Sequence, residues 1–216
     1  MKQIQPGIFS QNGMIYTKAG SDRSVYGENF VEKDGQKYRR WNANRSKAGA
    51  AVKNGIELNI DTDSEILYLG AASGTTVSHF SDILQEGFVY GVEYSDTVIR
   101  DLVEVAEQRE NIAPILGDGR KPEEYGDLID GKVDVVFQDI SQRDQPEIFL
   151  KNIERFLKED GVGLLAVKAR SISSSKHKEE IFEEVREKIK EKMEIIDETE
   201  LDPYEKEHLF LKLKKK

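Results

Sequence analysis

The chain has no cysteine, only three histidines and no long apolar run in its 216 residues. Without cysteine it forms neither disulfides nor thiolate metal sites, which is typical of proteins in a reducing cytosol. The histidines at 79, 177 and 208 lack metal-ligand spacing, so we expect no metal site. No stretch approaches the length of a membrane span, and residues 1–30 show no signal-peptide pattern. We therefore expect a cytoplasmic protein that does not bind a membrane.

Charge is distributed unevenly along a chain whose formal net charge is -9. Residues 1–55 contain ten Lys/Arg and four Asp/Glu, a balance of +6, whereas residues 56–216 contain 22 and 37, a balance of -15. The basic end is suited to a phosphate backbone, while the acidic remainder favours solubility. Charge asymmetry of this size also occurs in proteins with no nucleic-acid partner. The 38% apolar and 34% charged composition is that of a globular protein.

Residues 1–55 are predicted to form a small β-rich domain. The turn dipeptides Asn12-Gly13 and Asp34-Gly35 are hairpin signals. Strand-like runs occupy residues 4–9, 14–17 and 36–40. An alanine-rich helix is expected over 46–54, ended by Gly55.

Residues 56–216 alternate between strand and helix patterns, which predicts a doubly wound α/β domain with a mostly parallel sheet. Five strands are expected at 65–70, 87–93, 113–116, 132–139 and 161–168. The intervening and following helices are expected at 75–85, 95–109, 121–129, 145–157 and 177–191. Two final strands, 193–201 and 207–213, are joined by a link so short that they must be antiparallel. We therefore expect one reversed strand at the end of the sheet.

The turn after the strand at 65–70 has the character of a nucleoside-binding loop. It reads Gly-Ala-Ala-Ser-Gly from Gly70 to Gly74, and small residues let a ligand approach the backbone closely. Glu93 ends the next strand and has the oxygens to accept two hydrogen bonds from a ribose diol, and Asp118 follows the third strand, where it could accept from an adenine amino group. The dinucleotide pattern G-x-G-x-x-G is absent and no basic partner for a pyrophosphate is evident. These features favour S-adenosylmethionine over NAD, although tight strand–helix packing alone could explain the glycines.

Several segments together resemble the fibrillarin family in its archaeal form, a family of ribose 2′-O-methyltransferases. The matching segments are YRRWN at 38–42, RSK at 45–47, YLGAASGTTVSH at 68–79, YGVEY at 90–94, DISQ at 139–142, DQ at 144–145, VKA at 167–169, PYE at 203–205 and His208. They occur in order across most of the chain, and the segment at 68–79 is the most specific.

The resemblance implies a Rossmann-like class I methyltransferase domain over residues 56–216, preceded by the domain at 1–55. It also implies which residues line an S-adenosylmethionine pocket. With the small-residue turn, that set comprises Gly70, Ala71, Thr75, Thr76, Glu93, Tyr94, Asp118, Gly119, Asp139 and Gln142.

A catalytic tetrad of Lys47, Asp139, Lys168 and His208 is likewise implied by the resemblance. A ribose hydroxyl is a poor nucleophile, and a lysine beside a carboxylate can hold it and stabilise the developing alkoxide. Which group takes the hydroxyl proton stays open. Glu205 is a second candidate for the role given to His208. Each lysine could instead be a solvated surface charge, and His208 a surface histidine.

RNA contact is expected through a basic face of Arg39, Arg40, Arg45 and Lys47, beside which Trp41 could stack on a base or serve as a core anchor. No RNA-recognition motif is present. The resemblance implies that a box C/D guide RNA selects the target rRNA or tRNA. A Nop-type scaffold protein and a kink-turn-binding protein are the other implied partners. The charged helix after residue 174 is either a solvated face or a contact for the scaffold.

Two alternative functions remain open from the sequence. One is a stand-alone methyltransferase for a small hydroxylated molecule, whose metal-dependent forms need clustered carboxylates at strand ends. The other is a non-enzymatic assembly subunit that binds the cofactor only for structure. The lysines of the implied tetrad favour metal-free catalysis on a ribose hydroxyl over both.

Overall fold

The N-terminal part of the chain is a five-stranded antiparallel sheet. A computed structural model describes residues 1–216. The strands are β1 (Lys2–Gln5), β2 (Ile8–Gln11), β3 (Met14–Lys18), β4 (Phe30–Lys33) and β5 (Gln36–Trp41), in the spatial order β1-β2-β3-β5-β4. Asn12 and Gly13 join β2 to β3 with φ of 50° and 73°, and Asp34 and Gly35 join β4 to β5 with φ of 52° and 74°. Positive φ at both central residues is what a two-residue hairpin turn requires, so both predicted hairpins are confirmed.

Two details of this sheet differ from the sequence prediction. The run at 4–9 is two strands, because the chain turns at Pro6 and Gly7, where Gly7 has a φ of 65°. The strand β4 was not predicted, since its four residues, Phe-Val-Glu-Lys, are too few and too polar to show a strand pattern.

The second sheet has seven strands and is mostly parallel, as predicted. They are β6 (Glu65–Leu69), β7 (Phe88–Glu93), β8 (Ile112–Leu116), β9 (Val133–Gln138), β10 (Leu157–Lys168), β11 (Met193–Glu200) and β12 (His208–Lys215), in the order β11-β12-β10-β9-β6-β7-β8. Only β12 runs against its neighbours. It lies between β10 and β11 rather than at the sheet edge, because β12 pairs with β10 on one side and with its own hairpin partner on the other.

Helices connect the strands and cover both faces of this sheet. They are α1 (Lys47–Lys53), α2 (Thr75–Ile83), α3 (Ile99–Ala106), α4 (Pro122–Tyr125), α5 (Gln145–Phe156), α6 (Ala169–Ile172) and α7 (Lys178–Lys190). The helix predicted over 121–129 is only α4 followed by a 3₁₀ turn at Gly126–Leu128. The helix predicted over 95–109 is also shorter, and α6 was not predicted.

Successive residues of β6 pack into opposite cores, as the two-residue period of a strand requires. Ile66 and Tyr68 face one apolar cluster, and Leu67 and Leu69 face the other. The first cluster also contains Trp41 and the alanines of α1, so the apolar core is continuous across residue 55. The division into domains at 1–55 and 56–216 stays a prediction. None of the helices combines the length and apolar character needed to cross a bilayer.

Candidate active site

A cleft opens at the carboxyl ends of β6, β7, β8 and β9, the edge at which open parallel sheets bind ligands. Its empty volume, including the open mouth, is about 740 Å³. Seven of the predicted cofactor residues line it: Gly70, Glu93, Tyr94, Asp118, Gly119, Asp139 and Gln142. Leu69, Val92, Arg120, Ile140 and Ile148 also line it and were not predicted. The apolar members supply two walls and a floor between the acidic groups.

The turn at Gly70 brings two strand ends into contact. Gly70 has a φ of 80°, and a Cβ at this position would lie 2.4 Å from the backbone oxygen of Asp139. Any side chain would therefore separate the ends of β6 and β9. The N–H of Ala72 donates to Glu93 Oε2 and that of Ser95 donates to Glu93 Oε1, each at 2.9 Å. These two bonds orient the carboxylate and leave each oxygen able to accept a further bond from a ligand.

Asp118 is held in place by its neighbour Arg120. The Arg120 side chain donates to both carboxylate oxygens, at 2.9 Å from Nε to Oδ1 and 2.8 Å from Nη2 to Oδ2. These side-chain hydrogen bonds lower the pKa of Asp118. The Arg120 guanidinium also lies 5.9 Å from the ring centre of Tyr94, whose residue is 69% exposed. Arg120 thus connects two of the predicted pocket residues, a role that the sequence gave no sign of.

Ala71, Thr75 and Thr76 do not line the cleft. Ala71 and Thr76 are buried beneath it, and the Thr76 hydroxyl donates to Ser46 Oγ at 2.8 Å. Thr75 begins α2 after Gly74, which has a φ of 86° and provides no side-chain cap. The first N–H groups of a helix have no intrahelical partners, so the start of α2 is a favourable place for an anionic group.

Lys47 and Asp139 form a direct ion pair. Lys47 Nζ lies 2.9 Å from Oδ1 and 3.0 Å from Oδ2, and the two side chains are 18% and 19% exposed. Lys47 begins α1, whose start is fixed because Ser46 Oγ accepts from Gly49 N at 3.1 Å. The Ser46–Thr76 bond then fixes α1 against α2. The ammonium is thereby held at the end of β9 although it comes from a distant part of the chain.

Lys168 and His208 are direct cross-strand partners in the β10–β12 pair. Directly opposed residues of an antiparallel pair project from the same face, so these side chains are neighbours. The Lys168 ammonium makes no hydrogen bond or ion pair with another residue. Sequence proximity predicted neither this pairing nor its register. Glu205, the second candidate, is only partly buried on the 201–207 link and its carboxylate makes no hydrogen bond.

His208 is a neutral hydrogen-bonding group. Its Nδ1 lies 2.7 Å from the carbonyl oxygen of Lys206, so Nδ1 carries the proton and Nε2 is left as an acceptor. Burial lowers the pKa of His208, the bond to the Lys206 carbonyl partly opposes this, and the charge of Lys47 lowers it further. The charge of Asp139 also acts on this pKa. His208 therefore shares one electrostatic environment with the Lys47–Asp139 pair.

Gln145 was not predicted as a site residue, yet its buried side-chain amide fixes the end of β10. Its Oε1 accepts from Lys168 N at 3.0 Å, and its Nε2 donates to the carbonyls of Lys168 and Gln142 at 3.2 and 2.7 Å. The amide thus bonds to Lys168 as a neighbouring strand would. Gln138 Nε2 donates to the Gln145 carbonyl at 2.8 Å and continues the chain of bonds to β9. Two strand ends and the loop between them are joined by one side chain.

Two predicted members of the basic RNA-binding face are instead buried. Arg39 is fully enclosed and donates to Glu28 at 2.7 Å, to Asp82 at 2.8 Å and to Ser78 at 3.0 Å. Trp41 is 1% exposed and stacks on the ring of His79, with 4.9 Å between centroids. Neither side chain can reach RNA, so the prediction was wrong for Arg39, and Trp41 is the core anchor that the sequence left as its alternative.

The chain is similar to fibrillarins over its whole length. The family model described as Fibrillarin matches residues 3–216. A fibrillarin-like rRNA/tRNA 2′-O-methyltransferase from Pyrococcus horikoshii is 48% identical over 193 residues, which cover 88% of this chain and 85% of that protein. A fibrillarin from Aeropyrum pernix, solved with natively bound S-adenosyl-L-methionine, is 42% identical with a TM-score of 0.86, covering 93% and 88% of the two chains. A fibrillarin in a complex with Nop5p is 40% identical with a TM-score of 0.92 and full coverage of both chains.

Proposed function

This chain belongs to the fibrillarin family, and on that premise we propose that it transfers a methyl group from S-adenosylmethionine to a ribose 2′-hydroxyl of RNA. The observation that carries the proposal is the Lys47–Asp139 ion pair at the rim of a nucleoside-sized cleft. The relative from Pyrococcus horikoshii bears the name of this activity, and the Aeropyrum pernix fibrillarin binds the proposed methyl donor.

The cleft has the donors and acceptors that S-adenosylmethionine requires. Glu93 retains acceptor capacity for a ribose diol, and the side-chain positions at Gly117 and Gly119 leave room between apolar walls for an adenine ring. Asp139 and the backbone around Gly70 offer acceptors for the amino group, and the start of α2 favours the carboxylate. These residues would hold the donor by its nucleoside and its amino-acid end together.

The chemistry needs a positioned hydroxyl and stabilisation of negative charge. When bound, S-adenosylmethionine supplies a methyl group whose transfer leaves the bonding electron pair on sulfur, while the 2′-oxygen forms the new bond and loses its proton. The unpaired ammonium of Lys168 is available to stabilise charge developing on that oxygen. Asp139 is fixed by Lys47, and neutral His208 has Nε2 free to accept a hydrogen bond.

Gln145 supports this arrangement as a positioning residue. Because its amide bonds both backbone groups of Lys168, the end of β10 keeps a constant distance from the loop that contains Gln142. In-line transfer depends steeply on such distances, since a displacement of about 1 Å can reduce a rate by about 100-fold. Both the acceptor side and the donor side of the site are attached to this single amide.

Target selection belongs to partners in this proposal. The protein acts as the catalytic subunit of a box C/D ribonucleoprotein, in which a guide RNA pairs with target rRNA or tRNA. A Nop-type scaffold protein binds it, for which the support is the relative in a complex with Nop5p. A kink-turn-binding protein completes the particle. This division of labour is consistent with a site edge that has few exposed aromatic side chains on which bases could stack.

Reconstitution tests this proposal. The purified chain is incubated with methyl-labelled S-adenosylmethionine and target RNA, first alone and then with scaffold protein, kink-turn protein and box C/D guide RNA. We expect donor binding in both cases, but methylation only in the complete assembly, at one ribose set by the guide. A guide paired to a shifted target sequence is the control and should move the methyl group. Efficient guide-independent methylation of a catechol-like molecule would overturn the proposal.

A further inference from the structure

A second, smaller cleft lies beside the Lys47 end of the active site. It is formed by the segment after Tyr26, the end of β5 and the 3₁₀ turn at Ala43–Arg45. Its empty volume, including the open side, is about 420 Å³, which is ample for a phosphate group with its ester oxygens. Asn29, Arg40, Asn42 and Arg45 contribute its polar lining. Arg45 is separated from Lys47 only by Ser46, so this cleft borders the proposed catalytic centre.

The two arginines in this cleft have no acidic partner. Neither Arg40 nor Arg45 forms an ion pair or a side-chain hydrogen bond, although Arg39 between β5 neighbours is fully paired. Arg45 is exposed and Arg40 is partly exposed, so both guanidinium groups can reach a ligand. An arginine fork matches the oxygens of a phosphate group and donates to two of them at once.

The one acidic residue that lines this cleft does not cancel their charge. The Glu28 side chain is fully buried and accepts bonds from Arg39 at 2.7 Å and Ser24 at 2.9 Å. It also accepts from the N–H groups of Val25 and Tyr26. Burial alone would raise the pKa of Glu28, but these hydrogen bonds lower it to about 2. Its negative charge is thus compensated within the protein, and the cleft presents two uncompensated positive charges.

The floor of the cleft is held rigidly in place. The hydroxyl of Tyr26 lies 2.7 Å from His79 Nε2 and accepts from Asn42 N at 3.2 Å. Arg45 lies over the Tyr26 ring, 6.0 Å from its centroid, which limits the freedom of the guanidinium group. Less conformational entropy is then lost when an anion binds.

We propose that Arg40 and Arg45 bind a phosphodiester group of the target RNA strand next to the ribose that is methylated. The inference rests on the proposed function and adds to it the residues that position the acceptor strand. Phosphate contacts fix register without reading sequence, which suits a catalyst whose target is chosen by base pairing. The bound phosphate orients the strand so that the adjacent ribose faces Lys168 and Asp139.

Transfer by the complete guide-directed complex tests the subsite with Arg40→Ala, Arg45→Ala and the double variant. We expect the target concentration for half-maximal single-turnover rate to rise about tenfold in the double variant, and its salt dependence to weaken by one to two phosphate contacts, about 0.7 in log–log slope for each. The dissociation constant for S-adenosylmethionine and the melting temperature should stay unchanged. Lys132→Ala removes an exposed cation at the opposite edge of the sheet and is the matched control.

A target with a neutral methylphosphonate at single linkages identifies the phosphate. One linkage beside the methylated ribose should weaken the wild-type complex as much as the double variant does, and should not weaken the double variant further. Inorganic phosphate at millimolar concentration should not compete if the strand is the ligand. If it abolishes the difference between wild type and variant, the cleft binds free phosphate and the proposal is overturned.

The possible failures are distinguishable. If the wild-type complex methylates RNA while the double variant has the wild-type target dependence and salt slope, the subsite is wrong and the proposed function stands. If the wild-type complex methylates no RNA, the proposed function fails and the subsite fails with it.

Discussion

The junction around Arg39 and the catalytic edge around Asp139 are both built from opposite charges, but they differ in how fully those charges are matched. At the junction the side chains of Arg39, Glu28 and Asp82 are 0% exposed, and each carboxylate accepts several hydrogen bonds. At the catalytic edge the Lys47–Asp139 pair is 18% and 19% exposed, and Lys168 beside it has no charged partner. The comparison teaches that matched, enclosed charges hold the N-terminal sheet to α2, whereas incompletely matched charges remain available to a substrate.

The largest effect on catalysis is expected from Asp139→Asn. The variant loses the charge that fixes Lys47 and orients the site, so we expect the single-turnover rate in the complete complex to fall about 10³-fold. Its free energy of unfolding should change by no more than about 1 kcal/mol, because the ion pair is partly exposed. Rates are measured at saturating donor and target. A rate within threefold of wild type would remove Asp139 from the mechanism.

The opposite pattern is expected from Arg39→Met at the junction. Removing one partner of a buried ion pair leaves Glu28 and Asp82 uncompensated, which costs about 3–5 kcal/mol of folding free energy. Urea unfolding measures this loss. At a temperature where the variant is folded, its rate should stay within a few-fold of wild type. An unchanged urea midpoint, or a rate loss as large as that of Asp139→Asn, would erase the distinction between the two clusters.

A matched pair of buried glutamines separates positioning from packing. Gln145 and Gln138 are both 0% exposed, but only Gln145 bonds to Lys168. We expect Gln145→Leu to lower the maximal rate about tenfold or more, with little change in donor affinity, because the end of β10 loses its three bonds to the amide. Gln138→Leu should lower stability but keep the rate within about twofold. Equal rate losses in the two variants would show that Gln145 acts only through packing.

The smallest effect concerns pH and the buried histidine of the junction. Burial lowers the pKa of His79 well below its ordinary value, and the charges of Arg39 and Arg109 add to this. The unfolded chain therefore binds a proton that the folded chain refuses, and stability should decrease as pH falls below about 6.5. Each refused proton contributes up to about 1.4 kcal/mol per pH unit.

Urea unfolding at pH 7.5, 6.5 and 5.5 measures this dependence. His79→Gln should make it shallower, while His177→Gln, at an exposed position, should leave it unchanged. His208 contributes in the same direction, since its pKa is also lowered by burial. A dependence that is equally steep in His79→Gln would exclude the junction as its source.

The alternation of strands and helices could be predicted because it is written in the hydrophobic pattern. The runs at β6, β7 and β9 are almost wholly apolar, and the turn at Gly70 is marked by its small residues. The strand β4 and the turn at Pro6 and Gly7 have no comparable pattern. The position of β12 within the sheet depends on long-range pairing with β10, which local sequence does not encode.

The candidate site was predictable in part for a similar reason. Residues at strand ends, such as Glu93 and Asp139, follow from the topology, and the resemblance to the family adds Lys47 and His208. The role of Gln145 was missed because it depends on three bonds to residues of two other segments. Arg39 was misassigned because its sequence neighbour Arg40 is exposed, and only the structure shows Glu28 and Asp82 enclosing one arginine and not the other.

The nature of the acceptor atom is tested most directly by a single-atom change in the target RNA. Two otherwise identical targets are compared in the complete guide-directed complex, one with ribose and one with 2′-deoxyribose at the nucleotide selected by the guide. The account predicts stoichiometric methyl transfer to the ribose target, at the 2′-oxygen, and no transfer to the deoxy target although it pairs equally well. Methyl transfer to the deoxy target, on a base or at another position, would contradict the assignment of the Lys47, Asp139, Lys168 and His208 site to a ribose hydroxyl.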